Sequence, residues 1–323
     1  MEISARPVRP LPRRLIAGFV ALFLTLYAGA AGVAEVTVGR AGQDTAFQKL
    51  LALRGQSIDW LVLGTSHALP LAYGDVPGRL RQDTGQSMAV LAEVGAGPVY
   101  NRLVFAQALR DTTPRHLLYV VDSFAFAAPR WNEDRIGDRK LLRQTPLRVS
   151  TATILARAVQ RGDARAGALA DYLTAFSKLN PSDRFARSGW RGAADFDREA
   201  RLSRHAVASR IDYLYPEGAE RSPRRTYLDT LEHILRTARS AGLRVTVMKL
   251  PLPEAFRAAL PAEAAFDTAL RARLDPLDIP YHDLGAELPE ARYYFDTDHL
   301  NRAGIEALYT RHLRGLLATP ARP

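Results

Sequence analysis

The chain predicts a three-layer α/β sandwich with a mainly parallel central sheet, carrying a helical insertion and preceded by one N-terminal transmembrane helix. Three observations predict it. Short apolar runs that end on turn residues alternate with amphipathic stretches, the alternation fails over one long Arg/Ala-rich segment, and an uncharged run stands behind a basic N-terminus.

The uncharged run comes first. Arg6, Arg9, Arg13 and Arg14 lie in a basic tail at residues 1–14, and LIAGFVALFLTLYAGAAGVA at residues 15–34 carries no charge. A helix of about twenty apolar residues spans the hydrocarbon core. The arginines before it and Glu35 after it orient the tail inside and everything downstream outside. A cleaved signal peptide is the competing reading, with residues 15–27 as its apolar core and Ala28-Gly29-Ala30 as the small-residue cleavage site. Both export the rest of the chain.

Residues 35–57 form a linker with helical character, and residues 58–318 form the α/β domain. Its strand-like runs are IDWLVLGTS, SMAVLAEVG, HLLYVVDSF, LRVTVMKLPLP and the weaker IPYHDLG. Helical stretches such as VYNRLVFAQALRD and RRTYLDTLEHILRTARSAG separate them, which is the pattern of a sheet covered on both faces. From about residue 129 to 225 no run of this kind occurs, so this segment reads as a helical insertion between the third and fourth strands.

The 47% apolar and 24% charged shares of the 323 residues are those of a globular protein. The absence of cysteine excludes disulfides, thiolate metal sites and a cysteine nucleophile. A net charge of +10 raises nucleic acid as a partner, but most of the excess lies between residues 129 and 226, where arginines stand singly among acids. No basic run interleaves with aromatics, and an acidic lipid or anionic glycan fits that surface at least as well.

Functional side chains of open α/β sheets collect at the carboxyl ends of the strands. There WLVLGTS brings Ser66, on a turn that either exposes the hydroxyl or merely caps a helix. Near the other end stands YYFDTDHLN, with Asp296 and His299 three residues apart. A serine hydroxyl needs a base such as imidazole, and a carboxylate fixes the tautomer of that imidazole. Structural readings remain beside this one: a hydrogen-bonded core histidine, or Asp298 or Asn301 capping the last helix. The remaining histidines lack ligand spacing, so no metal is expected, and the chemistry needs no cofactor. His67 adjoins Ser66 but points another way on an extended turn, which suits substrate contact better than base catalysis.

A serine after the first strand and a D-x-x-H before the last helix make the sequence resemble the SGNH (GDSL-like) hydrolase superfamily, whose fold is flavodoxin-like. The resemblance implies Ser66 as nucleophile, His299 as base and Asp296 as its orienting acid. It covers short blocks from about residue 58 to 317. One span followed by GTSH and DTDHLN looks most like the membrane-anchored, periplasmic proteins that work beside membrane-bound O-acyltransferases in polysaccharide or teichoic acid acylation.

The departures lie in three blocks. Gly64-Thr65-Ser66 replaces the usual G-D-S. The second block gives a glycine N–H to the oxyanion, for which Gly95 and Gly97 in EVGAGPVYN are the candidates. The third block, G-x-N-D, gives an Asn amide, but here Asp122 and Ser123 follow the third strand and are candidates for substrate contact. Asn132 in PRWNEDR and Asn101 are candidate replacements, though a surface or helix-capping role is the plainer reading of each. The expected activity is that of an extracytoplasmic serine acyl-ester enzyme, an O-acetyl esterase or O-acyltransferase on an envelope or exopolysaccharide glycan. The alternative is a degenerate, glycan-binding scaffold of an acylation complex.

Overall fold

The computed structural model describes residues 12–40, 42, 44–181, 191–216 and 224–318; most of the basic tail at residues 1–14 and parts of the segment 129–225 lie outside them. The first element is the helix α1 (Arg13–Arg40), which has no buried residue and is long and apolar enough to cross a membrane.

Five strands follow: β1 (Ser57–Leu63), β2 (Met88–Val90), β3 (Thr113–Val120), β4 (Arg244–Lys249) and β5 (Tyr281–Asp283). They form one all-parallel sheet in the order β2-β1-β3-β4-β5. Each falls on one of the five apolar runs, with β1 starting one residue and β3 three residues ahead of its run. The strands stop short of the run ends because the last residues leave the ladder to build turns at the carboxyl edge.

Side-chain alternation divides the core into two halves. Leu61, Leu63, Leu117, Tyr119 and Val247 point to one face, where they meet α2 (Pro98–Asp111), α3 (Arg225–Ser240) and α4 (Glu263–Leu274). Trp60, Val62, Leu118, Val120 and Met248 point to the other, under the helix Val76–Thr84 and α5 (Arg302–Leu308). This is the three-layer sandwich that the alternating pattern predicts.

Every described helix or strand between residues 129 and 225 is helical, including Arg139–Gln144, Val149–Gln160, Ala166–Thr174 and Arg204–Leu214. Its apolar stripe, with Leu155, Tyr172, Ile211 and Leu214, joins the first half of the core.

The strand order sets the position of the site. The chain leaves β1 for β2 on one side and then returns past β1 to β3, so the connections diverge between β1 and β3. Such a reversal opens a crevice at the carboxyl ends of the two strands. The register Leu63↔Tyr119 puts Gly64-Thr65-Ser66 beside Val120, Val121 and Asp122 at that crevice. Gly64 is needed for this approach: its φ is 156°, and a Cβ would stand 2.9 Å from Val120 Cβ.

Candidate active site

Ser66 opens a single 3₁₀ turn, Ser66–Ala68, directly behind β1. Thr65 caps that turn, its hydroxyl accepting the His67 N–H at 3.3 Å and donating to Asp122 Oδ2 at 2.5 Å. The cap aims the chain away from the sheet, and the hydroxyl of Ser66 faces the C-terminal loop.

That loop is a tight turn built on Asp296. Its Oδ1 accepts the N–H groups of Asp298 at 3.1 Å and His299 at 2.8 Å, and Phe295 N–H donates to His299 O at 3.0 Å. Asn301 then caps α5 by accepting the Gly304 N–H at 2.9 Å. The turn leaves the imidazole between two partners. His299 Nδ1 lies 2.9 Å from each Asp296 oxygen, and His299 Nε2 lies 2.9 Å from Ser66 Oγ. A carboxylate at Nδ1 holds the ring proton there and leaves the Nε2 lone pair for the serine hydroxyl. Ser66 and His299 are buried, at 3% and 1% exposure, and Phe295 stacks on the imidazole with centroids 5.5 Å apart.

A second buried network lies against the first. His67 Nδ1 is 2.5 Å from Asp122 Oδ1 and His67 Nε2 is 2.9 Å from Asp298 Oδ2, so carboxylates face both ring nitrogens. Both nitrogens must then carry protons, and the ring is an imidazolium. Burial alone would depress its pKa, but the charge and hydrogen bond of Asp122, followed by those of Asp298, push it up to about 10. Burial raises Asp122 and Asp298, yet the charges and hydrogen bonds around them win: Asp122 is lowered chiefly by His67, and Asp298 is lowered well below the carboxylate range by the charge His299 carries when it holds a second proton, by Arg210 and by His67. Arg210 supplies the outer clamp, with Nε at 3.0 Å from both Asp298 oxygens and Nη2 at 2.8 Å from Oδ2. The rings of His67 and His299 meet edge to face at 4.8 Å.

His67, Asp298 and His299 offer ligand atoms within 4.8 Å of one another, a spacing that could suit a metal ion. Their lone pairs are engaged otherwise. His67 is bonded at both nitrogens and Arg210 occupies Asp298, so the set is closed as a hydrogen-bond network.

The structure separates the other sequence-selected residues. His67 and Asp122 are buried and bonded to each other, which leaves neither a polar atom free for substrate contact. Ser123 points away from Ser66, its hydroxyl 2.8 Å from Tyr215 Oη and 2.5 Å from Glu263 Oε2. Gly97 N–H donates to Trp131 O at 2.6 Å, and the Asn132 amide donates to Ala125 O and Ala128 O, so these donors are engaged inside the fold. The Asn101 amide bonds Ala96 O and Tyr119 Oη. By contrast, the N–H groups of Ser66 and Gly95 have no acceptor among the described residues. Glu93 N–H donates to Gly64 O at 3.4 Å, so the loop that carries Gly95 runs beside the one that carries Ser66. Gly95 has φ of 64°, and a Cβ there would stand 2.8 Å from the Trp131 ring.

Trp131 also lines a groove of about 510 Å³ with Arg130, Arg135 and Tyr213. Arg130 lies over the rings of Trp131 and Tyr213, at 4.9 and 4.3 Å from their centroids. A cavity of similar size, about 530 Å³, lies at the amino ends of the strands around His116 and Arg244, at the wrong edge of the sheet for Ser66.

Sequence reasoning missed Asp298 as anything but a cap, and it missed Arg210; the cap it offered at the Thr/Ser pair is made by Thr65, whose bond to Asp122 it did not foresee. Asp298 had a signal, since D-T-D-H contains a second acid beside the histidine. Arg210 had none: it reaches Asp298 across 88 residues, from within the insertion.

No protein-family model and no curated protein matches the chain. Among solved structures, the crystal structure of a "putative acylhydrolase" from Bacteroides fragilis is similar in outline. It shares 9% identity at a TM-score of 0.40, over 84% of this chain and 95% of that one. At that level the likeness assigns no activity here.

Proposed function

We propose that the protein is an extracytoplasmic serine acyl-ester enzyme, tethered by α1, that removes or transfers an acyl group on an envelope glycan. The observation that carries this reading is the hydrogen-bonded run from Ser66 Oγ through His299 to Asp296. Ser66 Oγ attacks the acyl carbonyl carbon while His299 Nε2 takes its proton. The carbonyl oxygen becomes an oxyanion, received by the N–H groups of Ser66 and Gly95. Collapse of this intermediate breaks the ester bond, and His299 returns the proton to the departing alkoxide. In the second half, His299 deprotonates water or a glycan hydroxyl, which attacks the acyl-serine and frees Ser66. Water gives an esterase and a sugar gives an O-acyltransferase.

The adjoining groove supports a glycan as the substrate. The exposed face of Tyr213 and the guanidinium of Arg130 suit a polyhydroxylated ligand, and Trp131, buried beneath Arg130, connects the groove to Gly95. The apolar length of α1 and the arginines before it support an anchor with the N-terminus inside. A membrane-bound O-acyltransferase is the partner class that this placement fits.

One observation favours a second reading, a non-catalytic glycan-binding scaffold. Among the described residues no side-chain amide serves the oxyanion position: Asp122 stands where the resembled pattern has Asn and is engaged with His67 and Thr65.

Intact mass of the detergent-solubilised protein after exposure to a fluorophosphonate separates the two. The enzyme reading expects one adduct, lost in Ser66→Ala and His299→Ala. A folded wild-type protein that takes up no adduct would overturn it in favour of the scaffold.

A further inference from the structure

We infer that the insertion forms a membrane-embedded foot: the edge carrying Leu147, Val149, Leu173 and Phe176 sits in the interfacial zone of the phospholipid bilayer beside α1. The inference rests on the reading of α1 as an uncleaved anchor and goes beyond it, because an anchor alone leaves the folded domain in water.

The first argument is length. The uncharged run covers residues 15–34, and a helix needs about twenty residues to cross a core about 30 Å thick. Yet α1 meets the domain within that run. Tyr27 Oη donates to Thr174 O at 2.8 Å, and further along the Leu147 N–H donates to Glu35 Oε2 at 2.9 Å, while Lys178 pairs with the same carboxylate. Only residues 15–26 therefore project free of the domain, about 18 Å of helix at 1.5 Å per residue. To bury the whole run the bilayer must rise past Thr174, by about 10 Å of helix between residues 27 and 34. The part of the domain level with that stretch enters the interface.

The second argument is independent of the first. Among the described residues, five large apolar side chains outside α1 are exposed, and four are Leu147 (44%), Val149 (86%), Leu173 (53%) and Phe176 (42%). All four flank the Thr174 and Glu35 contacts. A soluble surface scatters such residues, whereas a cluster next to an apolar helix marks a lipid contact. Apolar side chains of interfacial elements reach about 5–10 Å into the headgroup and acyl boundary. Arg139 lies over the Phe176 ring at 5.5 Å, in the place where a basic side chain meets lipid phosphate.

The chain has no cysteine, so single labels are easily placed. Val149→Cys and Phe176→Cys in the full chain, each labelled with an environment-sensitive fluorophore, are reconstituted into phosphatidylglycerol-containing vesicles that carry spin-labelled lipid quenchers at both shallow and deep positions of the bilayer. Leu22→Cys in α1 reports the anchor, and Thr310→Cys, exposed on the opposite side of the sheet, reports the water-facing surface. The foot expects both insertion labels to lose most of their emission, as Leu22→Cys does, while Thr310→Cys keeps its own. Quenching of Leu22→Cys with both insertion labels no more quenched than Thr310→Cys would overturn the foot and leave the anchor standing. An unquenched Leu22→Cys would overturn the anchor and the foot together.

Discussion

Replacing His67 by asparagine tests the claim that an imidazolium is built into the floor of the site. The ring is buried between Asp122 and Asp298, 2.5 and 2.9 Å away. Asparagine keeps a donor but not the charge, and leaves two buried carboxylates balanced by Arg210 alone. Removing one partner of a buried charged set costs about 3–5 kcal/mol. The pH dependence is the sharper readout. The His67 pKa rises from 6.5 to about 10 on folding, so its stabilisation is complete below about 6.5 and is lost as pH climbs through 10. Between those limits the folded state holds one more proton than the unfolded state, and stability falls by about 1.4 kcal/mol per pH unit. Asp122 and Asp298 behave in the opposite sense. Their pKa values are lowered on folding, so their stabilisation is present above the unfolded value of 3.8 and fades as pH falls below it.

The assay is urea unfolding in detergent micelles from pH 6 to pH 9, followed by tryptophan fluorescence, for wild type and His67→Asn. The variant should be less stable by several kcal/mol at pH 6 and should lose about one proton's worth of the alkaline slope. An unchanged alkaline slope, or a loss below about 1 kcal/mol, would refute the imidazolium and with it the charge balance of the site.

Three further outcomes are expected. Asp296→Asn should slow fluorophosphonate labelling of Ser66 by about 10³–10⁴-fold, since the amide no longer fixes the proton on His299 Nδ1; a change within tenfold in the labelling rate would remove Asp296 from that role. Gly95→Ala forces a Cβ onto the Trp131 ring at positive φ and should slow acylation by about 10²–10³-fold through the displaced N–H, whereas wild-type kinetics would show that another donor receives the oxyanion. Arg210→Ala strips the outer clamp from Asp298 and should cost about 3 kcal/mol in urea unfolding at pH 7, and an unaltered midpoint would mean that solvent replaces it.

The parts of the fold and site that were legible from sequence are those set by local chemistry. Five apolar runs ending in turns marked the five strands, and the period of residues 224–242 marked α3, because burial on one face imposes a pattern within a few residues. Ser66, Asp296 and His299 stood out because a strand-end turn and a D-x-x-H loop each occupy a few consecutive positions. The contact between them spans 233 residues and came from the sheet topology. Side-chain direction at strand ends was not legible. Asp122 and Ser123 looked like neighbours facing one cleft, yet one turns to His67 and the other to Tyr215 and Glu263. Whether a glycine N–H is free was equally hidden, since Gly97 is engaged by Trp131 O, a partner 34 positions away in the insertion.

The clamp of Arg210 on Asp298 also bears on how this chain can be altered. Loops of α/β folds usually tolerate deletion, and the segment 129–225 looks dispensable when it is read as an appendage. It is not, because it delivers the guanidinium of Arg210, which offsets a buried carboxylate beside His299. A core transplanted without that segment would leave Asp122 and Asp298 sharing the single positive charge of His67. A shortened chain of this kind would need Asp298 neutralised in the same step.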